Sequence, residues 1–410
     1  MTRNPVQISR AFCLSLLIAA PLAAPARAQD NQPPVKMGVL TDMAGMYKDI
    51  MGPGSVLAAQ MAVDDYGGKV MGRPVEIVSG DHQTKPDVGA AIARNWFDNN
   101  GIGVVVDVAQ SAVALAVQEV ARSRNMIVMH GVTGSPSITQ EACIPTAFSW
   151  SLNAYAISAP LPKSLIEKGL DTYFFLAADY SFGKAMQDAA TDAIKAAGGK
   201  VVGAVRFPQN NPDFSSFILQ AMASKAKVLW LISAAEDTTT ALKQAREFGV
   251  VQGGQQIVVP LTYITNVHAL GIEAVQGLTF ATPFYWNRTP ETRAWSMKFF
   301  AKHQKMPTMD QAAVYSATKH YLEAVAAAGS TDGLKVADQI RKLPVDDFYV
   351  HNGSVRKDGW LMHSFYIASI KKPNEVKEPW DYYNILQTIP AEDAAQPLSQ
   401  SRCPLVAQSN

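Results

Sequence analysis

The chain has little cysteine, almost no net charge and no long apolar run beyond its first 30 residues. Three cysteines in 410 residues are too few for a disulfide-dense scaffold or a four-cysteine zinc site. Thirty-six basic against 35 acidic residues give a net charge of +1, so the basic excess that usually marks a nucleic-acid partner is missing. The histidines, at 82, 130, 268, 303, 320, 351 and 363, never fall within one helical turn of each other, which removes a His-His zinc pair. Signature loops are missing too. The run Val35–Leu40 leads into Thr41-Asp42-Met43-Ala44-Gly45 rather than GxGxxG, and neither GxxxxGK[ST] nor GxSxG occurs. Catalytic groups can converge from distant positions, but these absences shift the weight from catalysis to binding.

What is present begins with a leader. Arg3 and Arg10 precede an almost continuously apolar stretch over 11–25, followed by the small-x-small site Ala26-Arg27-Ala28. This is the pattern of a secretory signal, residues 1–28, cleaved before Gln29. The competing reading, a membrane anchor, needs about 20 unbroken apolar residues, and prolines interrupt this run. A lipoprotein reading fails because no small-residue lipobox precedes Cys13. Removing Cys13 leaves Cys143 and Cys403. In an exported chain an even pair reads as a disulfide, which would tie the C-terminal tail back to the first half; two unrelated thiols are the alternative.

About 380 residues then remain, enough for two domains, and 48% hydrophobic content can fill both cores. Strand-like runs (Val35–Leu40, Pro74–Ser79, Gly103–Val108, Met126–His130) alternate with helical patterns over Gly54–Tyr66, Pro86–Asp98 and Ala112–Ser123. Val88, Ala91, Ile92 and Trp96 form the stripe of a helix packed on one face. Beyond Trp150 the rhythm repeats: strands Thr172–Ala178, Val201–Phe207, Val228–Ser233 and Ile257–Pro260, helices Ser181–Ala197, Phe214–Ser224 and Thr238–Phe248. Continuous apolar strands between helices mean parallel sheets covered on both faces, so two doubly wound α/β lobes are expected. The last third adds strand Leu278–Thr282, helices Pro290–Lys302, Ala312–Ala328 and Leu334–Arg341, and a strand pair Phe348–Val355 with Ser364–Ile370. The tail from Lys371 is polar and dotted with prolines.

Open parallel sheets collect ligands at the carboxyl ends of their strands. The loops there are Asp42–Ser55 with Tyr47; Ala109–Ala112, where Ser111 is placed as an N-cap; and Gly131–Pro136 with Val132, Thr133 and Gly134. The second sheet offers Asp179–Gly183 with Phe182, Ala234–Thr238 with Glu236 and Asp237, and Leu261–Ile264 with Thr262 and Tyr263. Free N–H groups at a helix start favour an anion such as a carboxylate. Each residue also has a plain reading: Ser111 as a cap, Phe182 as core, Trp150 and Trp286 as packing.

The order VKMGVL, GPGSVLAAQMAVDDYGG and GRPVEIVSGD, continuing through DVAQSAVALAVQEVARSRNMIVMHG, DYSFGKAM and ALKQAREFGV, resembles the leucine/isoleucine/valine-binding protein family of periplasmic receptors. The resemblance covers the mature chain. It implies a type I architecture, two lobes joined by three crossovers, with lobe 1 from 35–151 plus 283–343, lobe 2 from 152–282 plus 344–395, and a tail over 396–410. It further implies an extracytoplasmic receptor that closes on a small solute and delivers it to the membrane permease of an ABC importer. By the family pattern Ser111, Ala112 and the Val132–Gly134 stretch hold a substrate carboxylate, and Tyr47 covers it.

Two departures stand out. The family's tyrosine in the DxxxYG segment is Phe182 here. The loop that supplies a carboxylate for a substrate ammonium reads Leu261-Thr262-Tyr263-Ile264, without an acid. Either Glu236 or Asp237 takes that role, or the solute has no ammonium; an aromatic or aliphatic acid would suit Tyr47, Thr133, Phe182 and Trp150. The expectation is a monomeric periplasmic binding protein with no cofactor, no metal and no nucleic-acid partner. An exported amidase-like hydrolase and a sensor for a membrane signalling protein are the rival readings.

Overall fold

The central strands of the first sheet come from short apolar runs, VKMGVLT, IGVVVD and IVMH. In the structure, a computed structural model that describes residues 1–2, 32–131 and 133–407, the strands of this sheet are β1 (Val35–Thr41), β2 (Lys69–Val70), β3 (Arg73–Asp81), β4 (Ile102–Asp107), β5 (Ile127–His130) and β6 (Ala147–Ser149). Their spatial order is β2-β3-β1-β4-β5-β6, parallel except for the short β2–β3 hairpin. The pleat sends alternate side chains to opposite faces. Leu40, Val105 and Val128 join Ala93, Val113 and Val117 of helices Pro86–Asn95 and Ser111–Arg122 in one core. Val39, Val104, Val106 and Met129 face the other core, with helices Gly52–Asp65 and Met309–Ala328. Both faces of β1, β4 and β5 are thus covered, which is why these three strands carry no polar alternation, whereas the outer strand β3 is half-buried to exposed along its length.

A second sheet comprises β7 (Thr172–Ala178), β8 (Lys200–Phe207), β9 (Val228–Ile232) and β10 (Gln256–Val258), all parallel in the order β10-β9-β7-β8. β9, read VLWLI, is buried throughout, whereas edge strand β8 alternates between exposed and half-buried residues until it ends on the buried Phe207.

The last third departs from the sequence reading. The expected pairing of Phe348–Val355 with Ser364–Ile370 is replaced by a small hairpin, β12 (Ser354–Val355) with β13 (Leu361–Met362). A third, antiparallel sheet sets β14 (Phe365–Ile370) between β11 (Thr279–Thr282) and β15 (Tyr383–Ile389). The polar tail therefore contains a strand; β15 is an edge strand with exposed Leu386, Gln387 and Thr388, so the apolar signal is weak there. The helix read to Asp98 ends its α-turns at Asn95 and closes with a π-turn, Trp96–Asn100.

Between the first sheet and the other two the chain crosses three times: after Ser149, after Thr282 and after helix Gly333–Lys342. The crossings touch one another. Ser149 N donates to Gly359 O at 2.9 Å, and the Phe284 ring lies 6.1 Å from Phe348 and 6.2 Å from Tyr349. Cys143 and Cys403 form a disulfide across 260 residues with Cα atoms 5.6 Å apart, binding the tail to the β5–β6 connection. Residues 33–131 and 133–407 belong to one compact unit. The expected leader, 1–28, lies outside the described residues apart from Met1 and Thr2. Among the described residues no helix is long and apolar enough to cross a membrane.

Candidate binding cavity

In both parallel sheets the strand order reverses at a defined place. The first sheet starts at β1, adds β3 on one side and β4 on the other; the second starts at β7, adding β8 and β9 likewise. The loops leaving β1, β4, β7 and β9 therefore diverge, opening a crevice at each switch point. One cavity gathers residues from all four, lined by Tyr47, Ile50 and Met51, by Gln110 and Ser111, by Tyr180 and Phe182, and by Ala234. Thr133, Gly134, Leu152, Leu261 and Tyr263 complete its wall. The space is tight: a water molecule's centre can move within only ≈ 20 Å³ of it.

Tyr47 is fixed by its own loop. The buried Asp42 carboxylate accepts from Gly45 N (2.8 Å) and Tyr47 N (3.1 Å) and from Thr84 Oγ1 (3.3 Å). A Cβ on Gly45 would sit 2.6 Å from Asp42 Oδ2, so this loop needs glycine there. The Tyr47 hydroxyl accepts from Gln209 Nε2 at 2.8 Å, a contact between the β1 loop and the loop after β8. Burial, then the nearby Asp237 charge, raise the Tyr47 phenol; burial and Tyr47 raise Tyr180. Burial raises Tyr263 well above the usual range, with Asp310 adding to it. All these phenols are proton donors at neutral pH.

Ser111 is not the N-cap. The cap is Gln110, with φ of 63°, whose Oε1 accepts from Ala112 N (2.8 Å) and Val113 N (3.0 Å). Ser111 is the first residue of the helix, 3% exposed, and lines the cavity. Three of the residues leading into this helix, Asp107, Val108 and Gln110, have positive φ, an unusual concentration for non-glycine backbone. Thr133 Oγ1 donates to Val108 O at 2.5 Å and holds the β5 loop against it.

Other expected contacts lie elsewhere. Trp150 is fully buried in the first crossing, where its Nε1 donates to Ser316 Oγ at 3.0 Å; it packs and does not line the cavity. Trp286 likewise donates to Trp380 O at 2.8 Å. Asp237 accepts from Asn210 N (3.0 Å) and Asn211 N (2.9 Å), so it shapes the β8 loop and does not face the cavity. Glu236 is exposed on a neighbouring groove with Met46 and Asp49. Thr262 bonds Val259 O at 3.0 Å and faces a small adjoining cavity with Tyr285 and Trp286. Ala112 is exposed, its N–H turned to Gln110. Val132 lies outside the described residues. Tyr47, Ser111, Thr133, Gly134, Phe182, Ala234 and Tyr263 do converge.

Gln110, Gln209 and Tyr180 were not singled out from the sequence. Tyr180 brings a phenol to the cavity two residues before Phe182, where the resemblance left a hydroxyl missing. Gln209 follows strand β8, and the same carboxyl-end rule would have found it. Among the described lining residues none is charged and none is histidine or cysteine. The nearest buried acid of the β4 end, Asp107, is pushed up to about 7 by burial, beside the Thr41 and Ser55 hydroxyls.

Residues 34–375 match the model of a family described as periplasmic binding protein. The chain belongs to that family. A periplasmic binding protein from Burkholderia mallei is 44% identical, with a TM-score of 0.88, over 91% of this chain and 99% of that one. A branched chain amino acid ABC transporter periplasmic ligand-binding protein from Burkholderia xenovorans LB400 is 39% identical, with a TM-score of 0.82, over 91% and 100%. Leu/Ile/Val-binding protein homolog 6 of Brucella suis biovar 1 is 26% identical over 288 residues, 69% of this chain and 72% of that protein. The architecture is thus the type I periplasmic binding protein fold, two α/β lobes with interlobe crossings, and the leucine-binding resemblance holds.

Proposed function

We propose that this periplasmic binding protein is the extracytoplasmic receptor of an ABC importer and captures a small carboxylate-bearing solute without an ammonium group. The observation that supports this most is the cavity wall: phenol, hydroxyl and amide donors from both sheets, with no charged side chain among the described residues. A carboxylate there is met by neutral donors and by the start of helix Ser111–Arg122. Among the described residues no carboxylate lines the wall to receive an ammonium directly: Asp237, close enough for its charge to act on Tyr47 and Tyr180, lies behind the lining on two backbone amides, and Glu236 faces another groove. Aromatic rings of Tyr47, Tyr180, Phe182 and Tyr263 suit an apolar or aromatic body.

The lobes we assign are 35–151 plus 283–343 and 152–282 plus 344–395. They part at the crossings to admit the solute and close with Tyr180, Phe182, Ala234 and Tyr263 over it; the closed form is selected because both lobes touch the guest. The protein acts in the periplasm after loss of its leader, as a monomer that docks on the permease, and releases its ligand unaltered.

Calorimetry with benzoate, 4-hydroxybenzoate, isovalerate and leucine tests the reading. Binding of an acid with leucine silent, and at least tenfold loss in Ser111→Ala or Tyr47→Ala, is the expected outcome. Leucine binding tighter than every simple acid would retire the ammonium-free assignment.

A further inference from the structure

Gln110 makes a connected set of bonds. Its Oε1 takes the N–H groups of Ala112 and Val113, and its Nε2 donates to Gln209 Oε1 at 3.2 Å. Gln209 in turn donates through Nε2 to the Tyr47 hydroxyl at 2.8 Å. The amide oxygen therefore occupies the helix start, while the amide nitrogen reaches across to the second lobe. Beside it Ser111, 3% exposed, lines the cavity, and its hydroxyl has no hydrogen-bond partner among the described residues.

A carboxylate oxygen and an amide oxygen compete for the same donors with the same geometry. They cannot both hold the N–H groups of Ala112 and Val113. We infer that Gln110 is a built-in competitor for the solute's carboxylate and sets the affinity and selectivity of the cavity. The inference rests on the carboxylate reading above. A guest carboxylate must displace Gln110 Oε1, so weak or poorly placed anions lose to the protein's own amide. The same displacement breaks the Gln110–Gln209 link and frees Gln209 to turn towards the guest. Backbone at φ 63° favours glycine, so the side chain is retained against conformational preference.

Two substitutions at this position have opposite expected effects. Gln110→Gly suits the backbone and removes the competitor, so affinity for the acids bound by the wild type rises about tenfold. Gln110→Glu keeps an oxygen on the helix start and adds a negative charge, so binding of the same acids falls at least a hundredfold. A simple packing or capping role would weaken binding, or leave it alone, in both.

Calorimetry with benzoate and 4-hydroxybenzoate reads the ratio, and circular dichroism confirms that each variant is folded. If Gln110→Gly does not fold, Gln110→Ala replaces it with the same expected direction. Equal or weaker binding by the variant without the amide, when the wild type binds, overturns the inference and leaves the carboxylate reading standing. Silence of the wild type and all variants towards every acid overturns both.

Discussion

The ring of Phe182 lies against the backbone of Gly134, so closely that a Cβ on Gly134 would be 2.8 Å from Cζ and nearer still to Cε2. The glycine belongs to the loop after β5 and the ring to the helix after β7, so this contact is made across the cleft. A methyl group at 134 must push the lobes apart or turn the ring. Gly134→Ala is expected to weaken solute affinity at least tenfold while shifting the melting temperature by no more than about 3 °C, since overpacking here is relieved by opening. Calorimetry beside a thermal melt checks it; unchanged affinity would mean that closure does not bring Phe182 onto Gly134.

Asp107 gives a pH prediction. Its pKa is raised to about 7, with burial as the main cause and the Thr41 and Ser55 hydroxyls offsetting part of it. The folded state therefore holds this proton more tightly than an unfolded chain with a pKa of about 3.9. Stability from this group is complete below about pH 4 and is lost as pH rises through 7. Asp107→Asn, which tolerates the positive φ, should gain roughly 2–4 kcal/mol at pH 8 and little at pH 4. The neighbouring Asp310, whose carboxyl burial and the Asp107 charge both raise, should become easier to ionise in the same variant. Buried His82, pushed down to about 4, His130, pushed down to about 3, and His363, pushed down to about 4, impose the opposite trend on both proteins, so it cancels in the difference. Urea melts at the two pH values decide it; a pH-independent gain would contradict the assignment.

The Cys143–Cys403 bond closes a loop of 260 residues. In the chain-entropy view such a loop is worth up to roughly 5 kcal/mol, and observed losses on removal run about 2–5 kcal/mol. Cys143→Ser combined with Cys403→Ser should lose that much in a urea titration, and a reductant should reproduce it in the wild type. A loss under about 1 kcal/mol would show the tail to be held by its other contacts.

Much of the cavity was legible because the carboxyl-end rule names loops, and Tyr47, Ser111, Thr133, Gly134, Phe182, Ala234 and Tyr263 lie in them. The failures have separate causes. Residue type alone points to Trp150, but its indole N–H is committed to Ser316, a partner 166 positions away that no local pattern reveals. Glu236 and Asp237 are adjacent in sequence yet open a helix, so one turns to solvent and the other inward. Gln110 was hidden because a capping glutamine is uncommon beside serine, which normally leads at that position. β15 escaped notice since an edge strand with one exposed side has too few apolar residues to announce itself.

The third sheet also fixes an order of events in time. Its strands come from residues 279–282, 365–370 and 383–389, so the middle partner of β11 is made some 85 positions after it and the last one later still. A growing polypeptide cannot complete this sheet until nearly all of it has been synthesised, and pairing between such remote segments is slow. The second sheet, whose strands all lie between residues 172 and 258, carries no such delay, so β11 alone is left waiting for its neighbours while the rest of that half can already fold.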